Sequence, residues 1–173
     1  MNKHLGVKFE ELLNHKISLH AEEGLILPNL KMQGKEDGCA FLNEKGRCTI
    51  HAFRPGFCRL FPLGRIYEDG SFSYYLQSQE CTKANRTKVK VNKWLGIPDL
   101  KQYENFVNEW HYFLKDTKAL LLRLSDAQLN QELSMYLLNR FYTTAFDLES
   151  DFYKQFDERM TQMKKLIYTL DRQ

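Results

Sequence analysis

The distribution of glycine and proline constrains this chain more than any other feature of its sequence. All nine glycines and all four prolines lie within residues 1–98. These residue types form turns and end helices, and none of the 75 residues after Pro98 is one of them. The sequence therefore predicts two domains, a turn-rich one over residues 1–97 and a helical one over residues 98–173.

The helical domain is predicted from apolar residues that recur at spacings of three and four. One helix follows Leu100, a second follows Ser125-Asp126, which offers an N-cap, and a third follows Ser150, which offers another. The positions expected to face the core are Leu100, Tyr103, Phe106, Val107, Trp110, Phe113, Leu114, Leu121, Leu124, Leu129, Leu133, Tyr136, Leu137, Phe141, Phe152, Phe156, Met160, Met163, Ile167 and Leu170.

The turn-rich domain is predicted to contain a short helix near Phe9–Leu13 and several β-hairpins. Its clearest signal is Asp69-Gly70, a dipeptide that favours the positive φ angles of a tight hairpin turn. Together the two domains define an α+β fold. The expected strand pairs are Ile17–His20 with Leu25–Met32, Cys39–Leu42 with Arg47–Ile50, and Gly64–Tyr67 with Ser71–Gln77.

Composition and charge exclude several classes of protein. With 43% hydrophobic and 27% charged residues, the chain is not a disordered or low-complexity protein. No apolar run approaches the roughly 20 residues of a membrane span, and the N-terminus lacks the apolar stretch of a secretory signal. We therefore expect a cytoplasmic protein with no membrane partner.

The net charge of +3 is too small to indicate nucleic-acid binding by itself. Between Thr82 and Pro98, however, five residues are basic and none is acidic. We interpret this stretch as a solvated face, and the alternative is a nucleic-acid-binding module over residues 83–93. The basic residues are Lys83, Arg86, Lys88, Lys90 and Lys93.

The four cysteines, Cys39, Cys48, Cys58 and Cys81, admit three interpretations. In the first they are buried thiols, in the second they form two disulfides, and in the third they are the ligands of a metal. Their spacing lacks a Cys-x-x-Cys element, so the spacing alone is a weak zinc signature. Four thiolates nevertheless suit tetrahedral zinc or an iron–sulfur cluster.

Several neighbouring residues are candidates for additional ligands or for support of the cysteines. His51 follows Cys48 by three residues, and we assign it a surface or hydrogen-bonding role in preference to ligation. Arg54 and Arg59 are interpreted as groups that bind backbone carbonyls or metal-bound thiolates. Asp37 is interpreted as a turn residue.

Motifs of the common enzyme classes are missing from the sequence. It contains no glycine-rich phosphate loop, no His-Glu-x-x-His and no Gly-x-Ser-x-Gly. Cys58 as a nucleophile would need a general base, for which the sequence offers only His51. We therefore name no catalytic residue and favour a protein that is not an enzyme.

An ordered set of cysteine motifs resembles a known family. The runs Cys39-Ala-Phe-Leu, Gly46-Arg-Cys48-Thr-Ile and Arg54-Pro-Gly-Phe-Cys58-Arg-Leu-Phe-Pro62 are similar to those of the YkgJ-type cysteine-cluster (CxxCxxCC) family of zinc- or iron-chelating proteins. The resemblance covers about residues 1–97. It implies that Cys39, Cys48 and Cys58 are metal ligands and that Cys81 is the downstream one.

One departure from the family pattern limits the size of the expected metal centre. Members usually open with a Cys-x-x-Cys-Cys cluster before a Leu-Gly-containing helical segment, whereas no cysteine precedes Leu5-Gly6 here. We therefore expect one four-cysteine site that holds a structural Zn²⁺, in preference to a shared polynuclear centre. The alternative is iron or an iron–sulfur cluster in a redox accessory protein. The helical domain would supply packing or a surface for a protein partner.

Overall fold

The computed structural model describes residues 5–35, 37–80 and 87–172 and has the predicted α+β fold. Antiparallel strand pairs occupy the first half and helices the second. The strands are β1 (Ile17–Glu22), β2 (Leu25–Leu30), β3 (Met32–Gln33), β4 (Gly38–Cys39), β5 (Leu63–Glu68) and β6 (Ser71–Leu76), and they pair as β1–β2, β3–β4 and β5–β6.

Within the described residues, the helices before Pro98 are short and those after it are longer. None of those in the described residues is long and apolar enough to cross a membrane. The α-helices are α1 (Phe9–His15), α2 (Gly56–Leu60), α3 (Val91–Leu95), α4 (Leu100–Leu124), α5 (Ala127–Leu138) and α6 (Phe152–Asp171); a 3₁₀ turn covers His51–Phe53 and a π-helical turn covers Asn139–Thr143.

The chain forms two compact units. One is built from residues 50–113, and the other combines the stretches before and after it, so α4 contributes to both. The division into domains at residues 1–97 and 98–173 stays a prediction.

In the unit of residues 50–113, the β5–β6 hairpin packs on the first half of α4. Asp69 and Gly70 have φ angles of 49° and 76°, which confirms the predicted tight turn. Asn108 Nδ2 donates to the Gly70 carbonyl at 2.7 Å, and the Gly70 N–H donates to Tyr112 Oη at 3.0 Å. The helix therefore holds the turn at its backbone.

Further along this hairpin, an arginine lies among aromatic side chains. The guanidinium of Arg65 is 5.3 Å from the ring centre of Phe72 and donates to Tyr103 Oη at 2.9 Å. Burial, followed by the nearby carboxylate of Glu104, raises the pKa of Tyr74 to about 12. Its phenol is therefore neutral at physiological pH, as expected of a packing residue.

In the other unit, the β1–β2 hairpin packs on α5. Ser134 Oγ donates to the Gly24 carbonyl at 2.7 Å, and Leu25, Leu121 and Leu137 are completely buried. Lys118 Nζ lies 3.1 Å from a carboxylate oxygen of Glu23 at the tip of the hairpin. The predicted pairing of these strands is thus confirmed and has a helical cover.

The three helices predicted after Pro98 are found, with two corrections. The second changes to π-helical hydrogen bonding at Asn139. The third is capped by Asp151 and not by Ser150, because the Asp151 carboxylate accepts from Lys154 N at 2.8 Å while the Ser150 hydroxyl donates to Asp147. The predicted core positions that are buried are Tyr103, Phe113, Leu121, Leu133, Leu137, Phe141, Phe156, Met160 and Met163, whereas Tyr136 and Phe152 are exposed.

The predicted cap of α5 provides a test of the helical part. Asp126 accepts from Gln128 N at 2.9 Å and from Leu129 N at 3.0 Å. Asp126→Ala is expected to lower the free energy of unfolding by about 1 kcal/mol, because two helix-start N–H groups lose their acceptor. Asp126→Asn, which keeps a capping oxygen, should stay close to wild type in urea unfolding. Equal losses in the two variants would contradict this role.

Candidate metal centre

Two of the predicted ligands, Cys39 and Cys48, are brought to neighbouring positions by local backbone structure. Cys39 ends β4, where its carbonyl accepts from Leu42 N at 2.9 Å and closes a turn over Ala40 and Phe41. Leu42 then pairs with Cys48 in an isolated antiparallel bridge. A β-turn spans at most about 7 Å, and a non-hydrogen-bonded bridge such as this one spans about 4.5 Å, so the two cysteine Cα atoms lie within about 12 Å.

The loop between Leu42 and Cys48 is the predicted turn. Asn43 N donates to the Arg47 carbonyl, and the Asn43 side-chain oxygen accepts from Arg47 N, both at 3.0 Å. Gly46 has a φ of 68°, the left-handed conformation that glycine adopts without strain. The expected hairpin therefore forms, although its strands are reduced to a single bridge.

Two side chains that sequence reasoning did not single out fix this cysteine loop. Lys16 Nζ donates to the Ala40 carbonyl at 2.6 Å and lies 5.5 Å from the ring centre of Phe41. Thr49 donates to the Phe41 carbonyl through both its N–H and its hydroxyl, each at 2.9 Å. No signal in the sequence identifies Lys16, whereas Thr49 lies within the Cys-x-Ile motif.

Cys58 lies on α2, which begins directly after Pro55. The Arg-Pro-Gly-Phe-Cys motif is explained in part by packing, because the Tyr103 ring lies where a side chain on Gly56 would project. Arg59 donates to the Ala52 carbonyl at 3.0 Å, which confirms its expected role in binding a backbone carbonyl.

His51 and Arg54 form a pair beside this helix. Arg54 Nη1 lies 3.0 Å from His51 Nε2. Because a guanidinium can only donate, the Nε2 lone pair of His51 accepts this hydrogen bond. The hydrogen-bonding role predicted for exposed His51 is thus confirmed. Asp37, with a φ of 48° in the β3–β4 connection, is the turn residue that was expected.

The ligand set as a whole stays a prediction. Cys81 lies outside the described residues, as do Lys83 and Arg86. Within residues 5–35, 37–80 and 87–172, no three or more His, Cys, Asp or Glu side chains converge on a point that could hold a metal ion. Cys39 and Cys48 have half-buried side chains, and cysteine thiolates are ligands that zinc and iron–sulfur sites accept.

The short strand pairs and the neighbouring cysteines define a small α+β module with soft metal donors. Residues 8–93 match the model of the CxxCxxCC family, described as a putative zinc- or iron-chelating domain. Over these residues the chain belongs to that family, as the cysteine motifs indicated. No curated protein and no solved structure matches the chain.

Proposed function

We propose that residues 8–93 hold one zinc ion as a structural element, with Cys39, Cys48, Cys58 and Cys81 as its ligands. The observation that carries this proposal is the turn and bridge that bring Cys39 and Cys48 to neighbouring positions. The family assignment supports metal binding in general. The other two ligands rest on the motif around Cys58 and on the downstream position of Cys81.

A structural role suits the segment that carries the cysteines. Strands β3 and β4 have two residues each, and the strand pairing at Cys48 is one bridge. Two-stranded elements of this size are not stable by themselves in water. A bound zinc ion has no redox chemistry and contributes to folding by crosslinking its thiolate ligands.

Element analysis of the purified full-length chain tests the proposal. We expect about one zinc ion per chain, and we expect Cys39→Ser and Cys48→Ser each to lose most of it, because structural zinc sites need all four ligands. His51→Ala is the matched control. Its Nε2 lone pair is engaged by Arg54, so this variant should keep the metal of the wild type.

Three results would contradict the proposed zinc site. Absence of both zinc and iron, with all four thiols reacting with a thiol reagent in native buffer, would refute metal binding by this chain. Iron in place of zinc, with visible absorbance after anaerobic purification, would establish the iron or iron–sulfur alternative. If His51→Ala lost the metal while Cys39→Ser and Cys48→Ser kept it, Cys39 and Cys48 would not be ligands.

Two further features belong to the proposal. A cytoplasmic location suits the thiol ligands, because that compartment keeps cysteines reduced.

A protein partner for the helical region also stays a prediction. Apolar side chains such as Leu122 and Leu148 are exposed there, and crosslinking in a lysate followed by comparison with Leu122→Ser would test the contact.

A further inference from the structure

Three aromatic side chains are exposed around the packed helices α2 and α3. Phe57 on α2 is 73% exposed, and Phe61, directly after that helix, is 53% exposed. Trp94 on α3 is 44% exposed, and its indole N–H donates to the Phe61 carbonyl at 3.1 Å. Trp94 is therefore held beside Phe61. Aromatic rings left in water in one place are characteristic of binding surfaces.

The charged residues that flank these rings in sequence are basic. Lys88, Lys90 and Lys93 are all exposed, and they lie in or directly before the helix that carries Trp94. No acidic residue occurs in residues 50–67 or in residues 87–98. We call the set Phe57, Phe61, Trp94, Lys88, Lys90 and Lys93 the aromatic–basic surface.

We propose that the aromatic–basic surface binds single-stranded nucleic acid. Proteins that bind single strands combine a positively charged track for the phosphates with exposed rings on which unpaired bases stack. The net charge of the chain gave little indication of this, because acidic residues elsewhere offset these lysines. None of its residues is a proposed metal ligand, but Phe57 and Phe61 lie close to Cys58 in sequence, so the metal content of each sample is measured beside its binding.

The geometry favours a nucleic acid over an acidic protein segment. A groove for an amphipathic helix is lined by aliphatic side chains that accept anchors at helical spacing. Here the exposed apolar groups at α2 are flat rings, and one of them is oriented by a hydrogen bond to the backbone. Each ring can stack on a base of any identity, so we expect little sequence preference.

The direct test is fluorescence anisotropy of the full-length chain with labelled oligo-dT and oligo-U of about 12 nucleotides at about 50 mM salt. Phe57→Ala is expected to weaken binding at least about five-fold, the effect of losing one stacked base. Tyr168→Ala removes another exposed ring, on α6, and should bind as the wild type does. Trp94→Phe, which keeps a ring, should also bind.

The charges are tested through the salt dependence of the same assay. Replacing Lys88, Lys90 and Lys93 by glutamine should reduce the slope of log K against log salt by about 2, since each phosphate contact to a single strand contributes about 0.7. The matched control replaces the exposed Lys101, Lys154 and Lys165. It removes the same net charge and should leave the slope unchanged.

Three results would overturn the proposal. The first is no binding of either oligonucleotide at this salt concentration. The second is binding that Phe57→Ala leaves unchanged, or that an equivalent duplex shows with equal affinity, because stacking on unpaired bases would then contribute nothing. The third is equal competition by polyglutamate, which would assign the surface to acidic protein segments. Metal content is measured on the same samples, so a failure of the metal site is recognised separately.

Discussion

Removal of the proposed metal from the full-length protein is expected to open residues 31–62 while the hairpins before and after this segment stay ordered. Structural zinc in small modules contributes on the order of 10 kcal/mol to folding. For the segment that carries Cys39, Cys48 and Cys58 we expect the free energy of local opening to fall by at least about 3 kcal/mol, which is about 100-fold faster amide exchange.

The expected boundary of the effect follows from which strands have a helical cover. Strands β1 and β2 pack on α5 through Leu25 and the Ser134 hydrogen bond, and β5 and β6 are held by Asn108 and Tyr112 of α4. The segment between these hairpins contains two-residue strands, one bridge and a helix of five residues. It has the least secondary structure to retain when a crosslink is lost.

Hydrogen–deuterium exchange measured by peptide mass spectrometry is the appropriate experiment. The chelated sample is confirmed as metal-free by element analysis, and the control is the same sample after stoichiometric zinc is restored, which should recover protection. Peptides from β1–β2 serve as an internal reference. If a metal-free chain exchanged residues 31–62 as slowly as the loaded one, the ion would have no structural role in this segment.

The features that local sequence determines were predictable. Turns at Glu23-Gly24 and Asp69-Gly70 place both residues at positive φ, and two or three residues suffice to specify such a turn. The start of α2 after Pro55 and the cap of α5 at Asp126 are likewise local. The error at α6 has the same origin, because Ser150 and Asp151 are adjacent residues that cap helices equally well.

Features that depend on tertiary contacts were not predictable. Thr117 and Ser134 are buried at positions that continue the apolar faces of α4 and α5, but a search for apolar residues passes over them. The buried location of Ser134 is explained only by the Gly24 carbonyl, which lies 110 positions away in sequence. The π-helical turn after Leu138 also depends on a tertiary contact. The guanidinium that donates to the carbonyls at its end belongs to Arg159 of α6.

The candidate site likewise has features that the local sequence predicts and features that depend on tertiary contacts. The proximity of Cys39 and Cys48 follows from a turn that Asn43 and Gly46 indicate. The attachment of their loop to Lys16 has no sequence signal, because it joins residues 24 positions apart. Exposure of Phe57 was equally hidden, since the sequence shows which residues are aromatic but not which are left in water.

Arg159→Ala is expected to lower the free energy of unfolding by about 3 kcal/mol, a large loss for a side chain on the outside of a helix. The guanidinium donates to the carbonyls of Arg140, Thr144 and Ala145 at the end of the π-helical turn, the latter two at 2.8 and 2.7 Å. Carbonyls at a helix end have no partner within the helix, so an outside donor must satisfy them.

The surroundings of this guanidinium explain why its loss is expected to be costly. It lies 3.8 Å from the ring centre of Phe146, a cation–π contact. Burial and the positive charge of Arg140 lower the pKa of Arg159, which means that these surroundings disfavour the charged form of the guanidinium. The three carbonyl dipoles compensate for this environment, and they would be left without a donor in the alanine variant.

Two matched variants separate the contributions in urea unfolding followed by circular dichroism. Arg159→Lys keeps the charge but cannot reach three carbonyls with one ammonium group, so it should recover about half of the loss. Arg172→Ala removes an exposed arginine that also lies by an aromatic ring, that of Tyr168, and should cost less than about 0.5 kcal/mol. If Arg159→Ala and Arg172→Ala were equally stable, the carbonyl contacts at the π-helical turn would contribute nothing beyond those of an ordinary surface residue.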